Sequence, residues 1–245
     1  MASYRKNYKS ARKEAKTFSQ KHHECDSISS QNRLSVAHDS QEFCSVGERI
    51  LLFQQVKNEG IIEELLDTLR SMVRIQSGRN ESPSMGIIDS RNVKTSHHVD
   101  SVRGLDGNKK IKGRKQHIIV DSQGYLMSVA VHEANVHDSK GAPKVIERLS
   151  YKFPRLAKIL ADGGYRGSLA DWVFDKFKWE LEVVLRPDEC PSKLKVIPKR
   201  WIVERAFAWL ENFRRLTIDY EFHADTAETM VQLAFCKIML NKIIV

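Results

Sequence analysis

The order of its short apolar runs limits this chain most. Residues 85–89, 116–120 and 125–132 are three strand-like runs rich in Val, Ile and Met, with no helical pattern between them. Two more runs follow, at 157–161 and 180–185. Each is preceded by a helical segment: Ala142, Val145, Ile146 and Leu149 before the first, and residues 168–177 before the second. Strands without an intervening helix pair antiparallel, whereas strands separated by one return parallel. The order therefore predicts an α/β fold, a mixed five-stranded sheet flanked by helices. Asp121, Ser122, Gln123 and Gly124 predict a hairpin turn, and residues 104–107 (GLDG) read as a plain turn. Asp138 is expected to cap a helix over 138–152, a further helix to open near Pro198, and a last one to run over 226–243.

Upstream the texture differs. Arg5, Lys6, Lys9, Arg12, Lys13, Lys16 and Lys21 face a single acid, Glu14, and Ser and Gln then dominate to about residue 41. Residues 1–48 are expected to form a basic, flexible arm. Ile50, Phe53, Val56, Ile61, Leu65, Leu69 and Val73 recur at helical spacing, interrupted by Gly60, so residues 49–80 predict two helices or one kinked helix.

The whole chain is basic, with 40 Lys+Arg against 31 Asp+Glu and a net charge of +9. That balance favours a polyanionic partner. No apolar run reaches the roughly 18 residues of a membrane span. Cys25, Cys44, Cys190 and Cys236 are scattered and form no C-x-x-C pair, which speaks against a disulfide framework or a zinc site and for a reducing cytoplasm. His132 and His137 lack the i, i+4 spacing of a zinc pair, His97 and His98 read as a surface pair, and Ser168 has no evident His/Asp partners.

Three carboxylates stand out by position. Asp89 is expected to end the first strand and Asp162 the fourth, where ligand sites of such sheets gather. Glu204 lies on the helix whose apolar stripe is Ile202, Ala206, Trp209, Phe213 and Leu216. It falls off that stripe, beside Arg200, Ala208, Glu211 and Arg215. Taken singly, each acid has an ordinary reading as a turn former, a cap or a solvated side chain. Taken together they invite cations: two carboxylates 4 Å apart repel by about 4 kcal/mol at an effective dielectric near 20, and Mg²⁺ prefers hard oxygen ligands.

Five ordered blocks carry a resemblance. They are GIIDSRNVKT at 86–95, GNKKIKGRKQHIIVD at 107–121, ANVHD at 134–138, LADGGYRG at 160–167, and RWIVER at 200–205 with Trp209 and FRRL at 213–216. In these the chain resembles bacterial insertion-sequence transposases of the DDE class, the insertion-sequence-five group, from about residue 57 onward. The resemblance implies an RNase H-like catalytic domain over 81–245, with Asp89, Asp162 and Glu204 as catalytic residues and as ligands of two Mg²⁺ ions, for which Mn²⁺ can substitute. It implies metal-dependent cleavage at element ends, by attack of water, and strand transfer into target DNA, by attack of a DNA 3′-hydroxyl. It also implies a homodimer or higher oligomer on DNA, in the bacterial cytoplasm with the nucleoid. Arg200 stands four before Glu204, as in the R-x-x-x-E signature, while Ile197 and Glu211 replace its usual Tyr and Lys. The Trp-rich DNA-binding pattern usual upstream is missing from 1–48. The alternative is therefore a truncated, catalytically impaired relic that binds DNA and regulates transposition.

Basic residues flank the proposed triad. Lys94, Lys109, Lys110, Lys112, Arg114, Lys115, Arg200, Arg205, Arg214 and Arg215 are expected to contact phosphates. Trp201 and Trp209 could stack on a base, with core packing the better expectation for Trp209.

Overall fold

A computed structural model describes residues 46–99, 102–107, 110–184 and 199–244. It divides into two compact units, Met1–Glu59 and Gly60–Val245. The described part of the first unit is helix α1 (Val46–Asn58). The second opens at Gly60, whose left-handed backbone (φ 71°) interrupts the helical pattern, and continues as α2 (Ile61–Gln76).

The sheet of the second unit is built from β1 (Met85–Thr95), β2 (Gly104–Asp106), β3 (Ile111–Asp121), β4 (Leu126–Glu133), β5 (Lys158–Ala161), β6 (Glu180–Val183) and the short β7 (Ile218–Asp219). Its helices are α3 (Asp138–Glu147), α4 (Leu169–Phe177), α5 (Trp201–Glu211), the single turn α6 (Arg214–Thr217) and α7 (Ala224–Ile244). The five main strands lie in the order β4-β3-β1-β5-β6. β4, β3 and β1 are antiparallel, and β5 and β6 add in parallel to β1. This is the mixed sheet expected from the run order, and its topology is RNase H-like.

Two apolar clusters sandwich the sheet. Ile87, Ile118, Val120 and Leu126 pack with Leu66, Leu69 and Val73 of α2, Val203, Ala206 and Leu210 of α5, and Val231 and Phe235 of α7. Ile88, Ile119, Met127 and Ile159 face the other way, against Val145 and Ile146 of α3 and Leu169 and Val173 of α4. Strict alternation along β1 thus sends Ile87 to one layer and Ile88 to the other.

Several local expectations change. β1 runs six residues past Asp89, because residues 90–94 keep pairing with Gly113–His117 of β3. Residues 104–106 form an edge strand on β3, not a plain turn, with Asp106 buried and bonded by Asn92. The cap of α3 is His137, whose ring accepts from the Ser139 N–H, and Asp138 is the first helical residue. Pro198 lies outside the described residues, and α5 is helical from Trp201. Cys236 is buried and unpaired, while Cys25, Cys44 and Cys190 lie outside the described residues. Among the described residues no helix is long and apolar enough to cross a membrane.

Candidate active site

The site begins with the pairing of β1 and β5. Ile87 sits opposite Leu160 in parallel register, and β5 ends at Ala161. Continuing that register by two positions sets Asp162 beside Asp89. Asp162 leaves the strand extended and caps the 3-10 turn Gly163–Tyr165, its Oδ1 accepting the Gly164 N–H at 2.9 Å. Asp89 accepts the N–H of Ser90 at 2.7 Å.

Alternation places Asp89 on the layer of Ile87, which is the side of α5. Glu204 projects from the first turn of that helix, with its side chain 57% exposed. Arg200 joins the two parts of the site. One guanidinium nitrogen lies 3.5 Å from Asp162 Oδ2 and another 3.4 Å from Glu204 Oε1. Arg200 thus links Asp162 to Glu204, and its charge also reaches Asp89.

The charges are crowded. Burial pushes the Asp89 carboxyl up to about 6; Asp162 and Asp138 push the same way, while the Ser90 N–H and Arg200 oppose them. Among the described residues no three His, Cys, Asp or Glu side chains stand close enough to hold an ion as placed. Donor type and charge nevertheless fit a divalent ion: hard oxygens, one of them reluctant to ionise, with an arginine drawn between the other two.

A polar network lies behind Asp89 that the sequence reading did not place in the site. Asp138 Oδ1 accepts from Ser90 Oγ at 2.8 Å and Lys115 Nζ at 2.9 Å. Burial alone would raise its carboxyl, but His117, Lys115 and Ser90 hold it well below the usual carboxylate range. The next ring is His132. Its Nδ1 lies 2.9 Å from the Glu133 carbonyl, so Nδ1 carries the proton and Nε2 accepts from His117 Nδ1 at 2.7 Å. Burial favours the neutral form of both rings, pushing His132 down to about 4. His117 Nε2 faces Asp138 Oδ1 at 3.6 Å. Helix α3 reaches the pair only because Gly141 has no side chain, since a Cβ there would meet His132 Nε2 at 2.4 Å. The signal for these residues was present: His117 and Asp138 are fixed positions of two of the resemblance blocks.

The basic expectations divide. Arg114 and Lys115 are corrections, because neither is available to DNA. Arg114 is fully buried and bonds Asp219 together with the carbonyls of Val102, Glu221 and Phe222. Lys115 is buried and donates to Val136 O and Asp138. The reason is β3 itself, which lies between β1 and β4 and is buried from Gly113 onward. Arg205 is half-buried, stacked between the rings of Trp201 at 4.6 Å and Trp209 at 4.9 Å, and donates to Gln123 O. Lys94, Lys110, Lys112, Arg214 and Arg215 are exposed, and Lys109 lies outside the described residues. Lys94 pairs in register with Ile218 of β7, directly after Arg214 and Arg215 of α6. Trp209 stacks on Tyr125 against the core, while Trp201 is 55% exposed.

The family model described as "Transposase DDE domain" matches residues 80–239. The Burkholderia cepacia protein named "Putative transposase for insertion sequence element IS402" is 30% identical over 136 residues, covering 53% of this chain and 64% of that protein. The chain thus spans less than two thirds of that relative. A chain of the crystal structure of the Mos1 strand transfer complex is 12% identical, with 74% of this chain and 61% of that chain covered and a TM-score of 0.30. That likeness adds nothing to what the strand order already says. The family match extends over well over half of the chain and contains all three acids, and on that basis the chain belongs to the DDE-domain transposases.

Proposed function

We propose that this protein is a DNA transposase of the insertion-sequence-five group that cleaves DNA at the ends of an insertion element and transfers the strand into target DNA. The observation that supports this reading is Arg200, which lies within 3.5 Å of both Asp162 and Glu204 while its charge also reaches Asp89. DDE enzymes work with divalent metal ions; here two Mg²⁺ ions, with Mn²⁺ as substitute, would be held by Asp89, Asp162 and Glu204. When bound, such ions stabilise the charge that develops in an in-line displacement at phosphorus.

The protein's own groups prepare that site. Asp89, whose burial favours its proton, would hold an ion as the carboxylate, and Glu204, now paired with Arg200, would be the third ligand. Arg200 would then be placed to meet a DNA phosphate. Lys94, Lys110, Lys112, Arg214 and Arg215 supply a track for the backbone. Lys94 stands five residues along β1 from Asp89, roughly 17 Å at strand rise. Two element ends must be brought together, so the working form is a homodimer or larger, acting on the nucleoid in the cytoplasm.

The test is a labelled element-end DNA incubated with Mg²⁺ or Mn²⁺. The proposal expects cleavage followed by joining, both lost in Asp162→Ala while DNA binding stays within a few-fold. Binding without cleavage in the wild-type chain would mark it as a regulator, and cleavage without joining as a plain nuclease.

A further inference from the structure

The polar network behind Asp89 includes a carboxylate that the three-acid reading leaves without a task. Asp138 uses its Oδ1 for Ser90 and Lys115, and among the described residues no donor reaches its Oδ2. That free oxygen lies toward Asp162. A side chain on Gly164 would begin 3.1 Å from Asp162 Oδ1 and 3.2 Å from Asp138 Oδ2, so both oxygens converge on one point above the glycine. The absence of a side chain at Gly164 keeps the space between them clear.

A second, independent feature aims at the same place. Tyr165 is fully buried, yet its hydroxyl has no hydrogen-bond partner. A buried hydroxyl left in that state costs about 1–3 kcal/mol. It stands in the combined field of Asp89, Asp138 and Asp162, with Ser90 as its polar neighbour. His117 Nε2 is likewise fully buried and makes no hydrogen bond, with Asp138 Oδ1 3.6 Å away. Two buried polar groups thus border these acids without a close hydrogen-bond partner.

We propose that Asp138 is a fourth carboxylate of the ion-binding centre, giving its Oδ2 to a divalent ion shared with Asp162 and Asp89. The proposal rests on the three-carboxylate reading above and extends it. Ser90 and Lys115 occupy the first oxygen and leave the second to the ion, and the Tyr165 hydroxyl becomes the donor to whichever carboxylate oxygen the ion leaves uncovered. The Lys115 charge competes with the ion for Asp138.

The experiment is titration of the full chain with Mn²⁺ alone, free Mn²⁺ being read by electron paramagnetic resonance. Asp138→Asn is expected to weaken Mn²⁺ binding about tenfold or more, and Lys115→Met to leave it unchanged or tighter. The double variant Lys115→Met/Asp138→Asn removes both charges of the pair, leaves no buried charge alone, and is expected to lose binding as Asp138→Asn does. Circular dichroism checks the fold of each variant. If Asp162→Asn loses Mn²⁺ while Asp138→Asn stays within threefold of wild type, the fourth carboxylate is wrong and the triad stands. Equal losses in Lys115→Met and Asp138→Asn would make the pair structural and overturn the proposal. If Asp89→Asn and Asp162→Asn also bind as wild type does, the three-carboxylate reading fails and this inference with it.

Discussion

Asp89 keeps its proton to higher pH than an ordinary aspartate, because burial and then the nearby acids disfavour its charge. The folded carboxyl titrates at about 6 and the unfolded one near 3.8. Between those values the folded state holds the extra proton, so metal-free stability falls as pH rises through that window and levels off above it. In chelator-treated protein, Asp89→Asn is therefore expected to raise the melting temperature at pH 8 and to leave it unchanged below pH 4. An equal difference at both pH values would show that the charge of Asp89 costs the fold nothing. The residue scale is also where a sequence is hardest to read. Arg114 and Lys115 look like any basic run, and only their place on a strand flanked on both sides converts them from DNA contacts into buried anchors. Asp138 looks like a helix cap until the neighbouring strand brings Ser90 and Lys115 to it.

At the scale of elements, α2 is tied to the sheet by two buried arginines. Arg70 donates to Leu126 O at 2.8 Å and lies over the Phe153 ring. Arg74 meets the buried Asp121 at 2.5 Å, and the other oxygen of Asp121 accepts the N–H groups of Gln123 and Tyr125 in the β3–β4 turn. Breaking a buried pair from one side leaves an uncompensated charge, so Arg74→Ala is expected to cost about 3–5 kcal/mol in urea unfolding. Adding Asp121→Asn should recover part of it; a loss below about 1 kcal/mol would remove this tie from the account. The packing of the same layer can be tested at Phe235 of α7, fully buried in the apolar cluster, where Phe235→Ala should cost about 3–5 kcal/mol. Element order and strand sense were legible because they depend on periodicity and connection length. The length of β1 and the existence of β2 were not, since both depend on pairing with β3 across many residues. Asp89 thus lies within a long strand, and the strand end that opens the site is that of β5.

For the whole molecule, the formal charge of +9 gains a location. Of the expected phosphate contacts, Lys94, Lys110, Lys112, Arg214 and Arg215 remain exposed. These five and Arg200 give six contacts and a log–log salt dependence of DNA binding with a slope of about −5.4, shallower than if the buried Arg114 and Lys115 also took part. A slope near zero would remove DNA as the partner. The account depends most on acids from two strands and one helix sharing divalent ions. The most direct measurement is anomalous diffraction from crystals of the full chain with Mn²⁺ and an element-end DNA. The account predicts manganese peaks about 2.1 Å from carboxylate oxygens of Asp89 and Asp162, with Glu204 turned from Arg200 toward them. Bound DNA with manganese only at sites remote from Asp89 and Asp162 would contradict it.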